Sequence, residues 1–199
     1  MEGYLRFRRK CKQWQAAHDR LVQLVHAYQA QVGRAWILGT RPPVLEDEGI
    51  ELIGPRGFGG NGYLDVYLTE DTYGTLCAYP RKVQDLLCDM YEIYQETKNS
   101  VRRMKTAEAV DKGPSKMQVS PMEYVSYIST EVDMYESEYQ HIEIVLSSMH
   151  FETPLNLMNA FMTSLSTQPF LDIETIMAIT ERHNHSYRLM KAVPHDEWV

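Results

Sequence analysis

One stretch of this sequence, residues 119–149, limits most strongly what the chain can fold into. It opens with Ser120 and Glu123, the two reciprocal members of a capping box, and it places Pro121 at the first helical position. Proline fits there because its missing N–H would have no helical partner in any case. The sequence therefore predicts that a long helix begins at this point.

The same stretch keeps one apolar register to its end. Its apolar and aromatic residues follow one another at alternating spacings of three and four, which is typical of a long helix packed against other long helices. These positions are Val125, Ile128, Val132, Tyr135, Tyr139, Ile142, Leu146 and Met149. A helix of this length cannot bury such a row alone, so the pattern predicts a helical packing module that needs partners.

Two more stretches show the same heptad alternation. The first runs from about Tyr4 to Ile37 and ends before Gly39, where a left-handed C-terminal residue is expected. Its core positions are Phe7, Cys11, Trp14, His18, Leu21, Val25, Tyr28, Val32 and Ala35. The second is predicted to open at Pro80 and to end near Gly113. Its core positions are Val83, Leu87, Met90, Tyr94, Thr97, Val101 and Met104.

Two shorter helices are predicted after the long ones. Thr153 caps the first and Pro154 starts it, and it stops before residues 168–169. Its inward positions are Leu155, Met158, Phe161, Met162 and Leu165. The second covers residues 172–189, with Ile173, Ile176, Met177 and Ile179 expected to pack inward. The tail, residues 194–199, shows no repeat and is expected to fray.

Residues 40–79 differ from the helical stretches on both sides. They are rich in glycine and acidic residues, so helix is not expected there. Two runs of β-branched and aromatic residues, Ile50–Ile53 and Tyr63–Leu68, predict a small β-ribbon. The glycines between residues 54 and 62 are interpreted as a flexible turn, because a nucleotide-binding loop would have to lead into a helix.

These patterns predict a mainly α fold, an elongated and coiled-coil-like helical bundle with a small glycine-rich β-ribbon insert. The predicted domain organisation has four parts. They are an N-terminal long helix at 1–39, the acidic insert at 40–79, a helical bundle at 80–193 and a tail at 194–199. No internal repeat of 20 to 50 residues is present, so a solenoid is excluded.

Charge and cysteine usage limit the classes of partner and the compartment. The formal net charge of −7 disfavours a large phosphate-binding surface and suits a basic partner better. No apolar run approaches the length of a membrane span, and no secretory signal is seen. The three cysteines, an odd number without CxxC spacing, fit reduced thiols. We expect a protein of the cytosol or the nucleus.

The residues that could carry chemistry do not form a recognisable site. His183 and His185 are two apart, so on a helix they point in opposite directions, whereas helical metal ligands lie three or four apart. His141 and His150 are also candidate ligands, but they show no metal-binding spacing with these. Hydrolase motifs such as G-x-S-x-G and H-E-x-x-H are absent from the sequence. We therefore expect no cofactor, no metal and no enzymatic activity.

Several residues are candidates for contacts with a partner protein. Tyr127 lies off the main apolar row, where an amphipathic ring can anchor a partner. The predicted interface comprises Trp14, Leu21, Val25, Tyr28, Tyr127, Tyr135, Tyr139, Ile142, Met149 and Phe170. For Tyr135 and Tyr139, packing in the chain's own core is the more ordinary interpretation. Arg102, Arg103 and Lys105 form a basic group that is usually a solvated face.

The carboxyl half of the chain resembles a known family. The matching features are a helix with Tyr135-Glu136 at its middle, the break Gln168-Pro169-Phe170-Leu171, and a closing helical segment that ends in Thr180-Glu181-Arg182-His183. Fainter matches lie at Gln13-Trp14, at Ile50-Glu51-Leu52 and over 83–104. In this order of elements the chain resembles the cyclin-dependent-kinase-interacting protein family, CINP, and more distantly a sister family of small helical proteins of the same assembly.

That resemblance implies a non-catalytic subunit that joins a helical sister protein and two AAA+ ATPases. Such assemblies are linked to the release of shuttling factors from the maturing large ribosomal subunit, and to replication and genome maintenance. The resemblance thus implies a nuclear protein, also present in the cytoplasm, with protein partners and with no small-molecule substrate or membrane.

Two other classes of function stay open from the sequence. The chain could be a nucleic-acid-binding subunit of a nuclear complex that uses Arg102, Arg103 and Lys105. It could also be an enzyme with an unfamiliar site, which a pocket lined by convergent carboxylates or histidines would reveal.

Overall fold

The structure, a computed structural model, describes residues 2–37, 61–107 and 118–192, without the side chains of 35–37, 61–67 and 105–107. Five helices occupy most of this part, and no strand occurs in it. They are α1 (Glu2–Ile37), α2 (Asn61–Ala107), α3 (Pro121–Ser147), α4 (Leu155–Thr167) and α5 (Ile173–Ala192). The predicted mainly α class is confirmed.

The chain divides into two compact units. Unit 1 comprises Met1–Ala16, Lys82–His141 and Gln168–Val199, and unit 2 comprises Ala17–Arg81 and Ile142–Thr167. Each of the three long helices contributes one segment to each unit. Helix α5 belongs to unit 1 and α4 to unit 2.

Each unit has its own apolar interior, built mainly from the heptad positions. In unit 1 the interior contains Tyr4, Phe7, Cys11, Trp14, Val83, Leu87, Met90, Ile93, Val101, Tyr124, Val125, Ile128, Val132, Tyr135, Tyr139, Leu171 and Ile179. In unit 2 it contains Ala17, Leu21, Val25, Tyr28, Val32, Leu76, Tyr79, Ile142, Val145, Leu146, Met149, Met158 and Leu165. The seven predicted core positions that lie in α3 are buried, as are Met149 just beyond its end and the positions of α1 from Phe7 to Val32.

The predicted start of α3 is confirmed in atomic detail. The Ser120 N–H donates to Glu123 Oε2 at 2.6 Å, and the Glu123 N–H donates to Ser120 Oγ at 3.2 Å. The bond from the Ser120 backbone stabilises the charged carboxylate and lowers the pKa of Glu123. Val119 and Tyr124 are buried beside the cap, as a hydrophobic staple requires.

The prediction for α2 was wrong at its beginning. The helix begins at Asn61 and not at Pro80, so Gly62 is helical and not part of the predicted turn. Residues Tyr63–Leu68 are helical too, and the β-ribbon predicted there is corrected. The physical reason is that a heptad row already starts inside the glycine-rich stretch, with Thr69 and Leu76 buried in series with later positions. Packing of that row outweighs the β propensity of single residues.

Pro80 therefore lies in the interior of α2 rather than at its first position. Its ring removes one N–H donor from the α2 hydrogen-bond ladder. Tyr79 and Val83, on either side of Pro80, are buried, and their apolar packing offsets the lost hydrogen bond. The Tyr79 hydroxyl also donates to the backbone carbonyl of Ala17 at 2.5 Å, which ties α2 to α1 within unit 2.

Some predicted inward positions face solvent. Met104, Leu155, Ile173 and Met177 are exposed, and Phe161, Met162 and Ile176 are only half-buried. In α5 the inward face carries Ile179 with two polar residues, His183 and Ser186. A helix shows only one side to its neighbours, so this partly polar inward face leaves Ile173 and Met177 outside.

Several other predictions fall outside the described residues. These are the end of the first helix at Gly39, the strand Ile50–Ile53, the glycines from 54 to 60, the end near Gly113 and the tail at 194–199. The side chains of Ala35 and Lys105 also lie outside this part.

The burial of α3 in unit 2 predicts a sharp contrast between two neighbouring isoleucines. Ile142→Ala should lower the free energy of unfolding by about 2–5 kcal/mol, because Ile142 is fully buried and its truncation leaves a cavity. Ile144→Ala is the matched control, since Ile144 is 65% exposed on the same helix and should change stability by about 0.5 kcal/mol or less. Urea denaturation measures both. Equal losses would contradict the assigned register.

Candidate functional site

The structure places most of the predicted interface residues in the chain's own interior. Of the ten, the buried ones are Trp14, Leu21, Val25, Tyr28, Tyr135, Tyr139, Ile142 and Met149. Tyr127 is half-buried against the edge of the Tyr124 ring, with 6.3 Å between ring centroids. Phe170 is 49% exposed. A contact with a partner through these residues stays a prediction, and Phe170 is the one best placed to make it.

Phe170 lies in the tight turn between α4 and α5. Gln168 has a φ of 45°, in the left-handed region that ends helices, and the following proline prevents the helix from continuing. The Leu171 N–H donates to the Gln168 carbonyl at 3.1 Å, which closes the turn. Leu171 is buried, so the turn is anchored in unit 1 while the Phe170 ring projects outward.

A buried carboxylate of α3 is hydrogen-bonded to this turn. Glu138 of α3 is fully buried, and its Oε2 accepts a hydrogen bond from the Phe170 N–H at 3.2 Å. Its Oε1 lies 3.3 Å from His141 Nδ1. The His141 ring in turn packs on the Phe170 ring, with 5.6 Å between centroids. The Phe170 backbone is therefore held by Glu138 and its ring by His141, while about half of the residue's surface stays exposed.

An apolar stripe continues from Phe170 along α5. Ile173, three residues after Phe170, opens α5, and Met177 follows four residues later, which puts Ile173 and Met177 on one side of the helix. Ile173 and Met177 are each 56% exposed. We call Phe170, Ile173 and Met177 the α5 stripe. Two exposed carboxylates, Glu174 and Glu181, lie next to it on the same helix.

The first turn of α5 is capped by its own residues. Asp172 Oδ1 accepts from the Thr175 N–H at 3.1 Å, and Oδ2 accepts from the Thr175 hydroxyl at 2.6 Å. These bonds lower the pKa of Asp172. The amino end of the helix is therefore satisfied by an N-cap within the chain.

A second group of buried polar side chains joins α1 to α3 in unit 1. Arg8 Nη1 lies 2.7 Å from Glu131 Oε2, and the Cys11 Sγ lies 3.9 Å from the same oxygen. Glu131 is fully buried, and its Oε1 has no hydrogen-bond partner among the described residues. Burial raises the pKa of Glu131, while Arg8 opposes the shift.

The chemistry of this group is structural. Burial, with a smaller contribution from the neighbouring Glu131 charge, raises the pKa of the Cys11 thiol to about 12. A nucleophilic cysteine needs the opposite surroundings, because the thiolate is the reactive form. Arg8, Cys11 and Glu131 therefore fasten two helices together and present no activated nucleophile.

The third buried group is aromatic and contains His183. Its ring lies 4.8 Å from the Tyr4 ring, and Nδ1 lies 3.0 Å from the Tyr124 hydroxyl. Burial lowers the pKa of His183. A neutral His183 ring can accept a hydrogen bond from the Tyr124 hydroxyl. His183 is therefore a packed core histidine. His185, two residues on, is exposed, in line with the spacing argument against a metal pair.

The basic group of the nucleic-acid hypothesis lies at the end of α2. Arg102 and Arg103 are exposed there, and Lys105 is described only as part of the helix backbone. Among residues 2–37, 61–107 and 118–192, no cluster of three or more histidine, cysteine, aspartate or glutamate side chains is placed to hold a metal ion. No helix in the same ranges is long and apolar enough to cross a bilayer.

Sequence reasoning missed the two buried glutamates, although a signal for them existed. Tyr124, Glu131, Glu138 and Val145 are spaced by seven, so they share one heptad position, and all four are buried. The two ends of this row are an aromatic and an aliphatic residue, which marks the row as inward-facing. Reading the row as a whole would have placed both carboxylates inside.

Comparisons of the chain with protein-family models, with curated proteins and with solved structures found no match. The function therefore has to be inferred from the chain's own residues and their arrangement.

The buried ion pair predicts a pH-dependent cost of removing Arg8. Arg8→Met should destabilise the fold by about 2–4 kcal/mol at pH 7.5, because Glu131 is left buried without its cation. The range lies slightly below that of a fully buried pair because the Arg8 side chain is 28% exposed. At pH 4.5 the cost should shrink, since a proton on Glu131 then replaces the guanidinium.

Arg6→Met is the control for this measurement. Arg6 of α1 lies 2.7 Å from Glu96 of α2, but both side chains are about half exposed. Its loss should cost about 0–1 kcal/mol. Urea denaturation of both variants at the two pH values measures the free energies of unfolding. An Arg8→Met cost that does not change with pH would refute the role given to Glu131.

The lowered pKa of His183 predicts acid sensitivity of unit 1. The unfolded chain binds a proton at His183 near pH 6.5, while the folded chain binds it only at lower pH. The unfolded state therefore holds more protons in this window, so stability must fall as pH drops below about 6.5. His183→Gln should flatten this dependence between pH 7.5 and 5.5 in thermal melts. His185→Gln, at an exposed position, should leave it unchanged.

Proposed function

We propose that this chain is a non-catalytic helical adaptor subunit that pairs with a similar helical protein and docks on an AAA+ ATPase complex. The complex acts in ribosome biogenesis, in DNA replication and in genome maintenance, and it is nuclear, with a cytoplasmic pool. In this proposal the ATPases hydrolyse ATP, and the present chain supplies binding surface.

The α5 stripe is the observation that carries the proposal. Three large apolar side chains, each about half exposed, follow one another from the turn at Phe170 into the first turns of α5. Contiguous apolar patches of this kind on folded proteins mark interaction sites. Large apolar and aromatic side chains held in place by their surroundings are also the usual anchors of protein interfaces.

The buried polar groups support the non-catalytic part of the proposal. Glu131 is bound to Arg8, Glu138 is bound to the Phe170 backbone, and His183 lies against Tyr124. Each of these bonds joins two separate segments of unit 1. These three buried titratable groups are therefore used for holding segments together.

The place of the sequence resemblance in the fold supports the choice of partner. The break Gln168-Pro169-Phe170-Leu171 is the strongest of the matching features, and it forms the turn that presents Phe170 at the head of the α5 stripe. The helical sister protein suits a stripe of this shape, since residues at spacings of three and four pack well against another helix.

The proposal predicts what co-purifies with the chain and which residues are required. The tagged full-length chain, expressed in cells that contain its natural partners, should co-purify with one small helical protein and with AAA+ ATPases, as identified by mass spectrometry. Replacing both Ile173 and Met177 by Asp should reduce their recovery by about tenfold or more, because charges on the stripe block apolar contact.

Ile144→Asp is the matched control for that experiment. Ile144 is at least as exposed as Ile173 and Met177, but it lies on α3 in unit 2. Circular dichroism and thermal melts should show that all variants are folded. Recovery of no ATPase by the unmodified chain, or equal recovery by the stripe variant and the wild type, would refute the proposal.

A further inference from the structure

We infer that the α5 stripe takes a basic amphipathic helix of its partner, one whose apolar row is flanked by lysine or arginine. This inference rests on the proposed function, because it names the chemistry of the element that docks on the same surface.

The side of α5 that carries the stripe also carries a row of negative charge. At about 100° per residue, Ile173 and Met177 lie about 40° apart around the helix axis. Glu174 and Glu181 lie within about 20° of each other and about 40–60° beyond Met177. Both glutamates are exposed. Two carboxylates, about two turns apart, therefore lie beside the apolar row.

No positive charge interrupts this surface in the first turns of the helix. Residues 173–181 of α5 contain neither lysine nor arginine, and the first basic residue, Arg182, lies about 100° away from Glu181 around the helix. The whole chain adds a net charge of −7. Exposed carboxylates at the edge of an apolar contact favour a partner with cations at its own edges, and they speed its encounter.

The same charges argue against a second copy of this chain as the occupant. Two α5 helices that pack in parallel through their stripes would each bring Glu174 and Glu181 to the edge of the contact. Like charges at the edges of a helix pair disfavour pairing, as they do at the flanking positions of coiled coils. A partner helix with cations at these edges removes this repulsion.

Phe170 is prepared for binding before a partner arrives. Its N–H is held by the buried Glu138, and its ring rests on His141. A side chain already fixed in one position loses little conformational entropy on binding. The anchor at the head of the stripe is thus rigid, and the partner needs only an apolar side chain opposite it.

Two synthetic peptides test the inference on the purified full-length chain. Both have 15 residues, an identical leucine row at spacings of three and four, and a fluorescent label. One has lysine at the flanking positions, and the other has glutamate. In fluorescence anisotropy at 0.15 M salt, we expect the lysine peptide to bind at least tenfold more tightly than the glutamate peptide.

Three double variants make the test specific to the surface. Ile173→Asp with Met177→Asp should abolish binding of the lysine peptide. Glu174→Lys with Glu181→Lys should reverse the preference between the two peptides. Glu70→Lys with Glu92→Lys changes the net charge equally at exposed positions of α2, and it should leave the preference as it is.

Four results would overturn the inference. They are equal binding of the two peptides, no binding of either, a reversed preference in the α2 control, and dimerisation of the chain that depends on Ile173 and Met177 in analytical ultracentrifugation. The proposed function fails separately. Suppose that the chain recovers ATPases through its stripe but binds the two peptides equally. The adaptor role would then stand, and the basic partner helix would be refuted.

Discussion

The burial of α3 is the constraint on which the rest of unit 1 depends. The helix hides three heptad rows instead of the two of an ordinary coiled coil, and one of those rows contains Glu131 and Glu138. A carboxylate inside a protein must find a cation or a donor, because water is no longer there to solvate it. Glu131 forms an ion pair with Arg8 on α1, and Glu138 accepts a hydrogen bond from the Phe170 N–H. The two polar contacts thus join α1 and the α4–α5 turn to α3.

How much of this the sequence could predict depends on how local each signal is. The capping box at Ser120 and the alternating rows of α3 are set by neighbouring residues, and the structure has both. The beginning of α2 was missed because glycine, proline and β-branched residues describe local preference only. The heptad row at Thr69 and Leu76 was a longer-range signal, and its packing outweighed those preferences.

The candidate site was harder to predict for a different reason. A sequence shows which residues are apolar, but not which side of a helix its neighbours cover. The covering side of α5 consists of Ile179, His183 and Ser186, and it meets tyrosines, so polar residues went inside and Met177 stayed outside. Phe170 was among the predicted interface residues, and it lies in the break that carries the resemblance. Its support by a buried glutamate requires the fold.

Phe170 is the residue at which interior and surface are coupled. Its N–H donates a hydrogen bond to the buried Glu138 carboxylate in unit 1, and the residue is about half exposed to water. A partner that covers the ring would also remove water from the neighbourhood of this hydrogen bond, and hydrogen bonds are stronger where the local dielectric is low. Binding to the folded chain alone also stabilises the fold by mass action. In the proposed adaptor role, the chain would therefore be held together most firmly when its partner is bound.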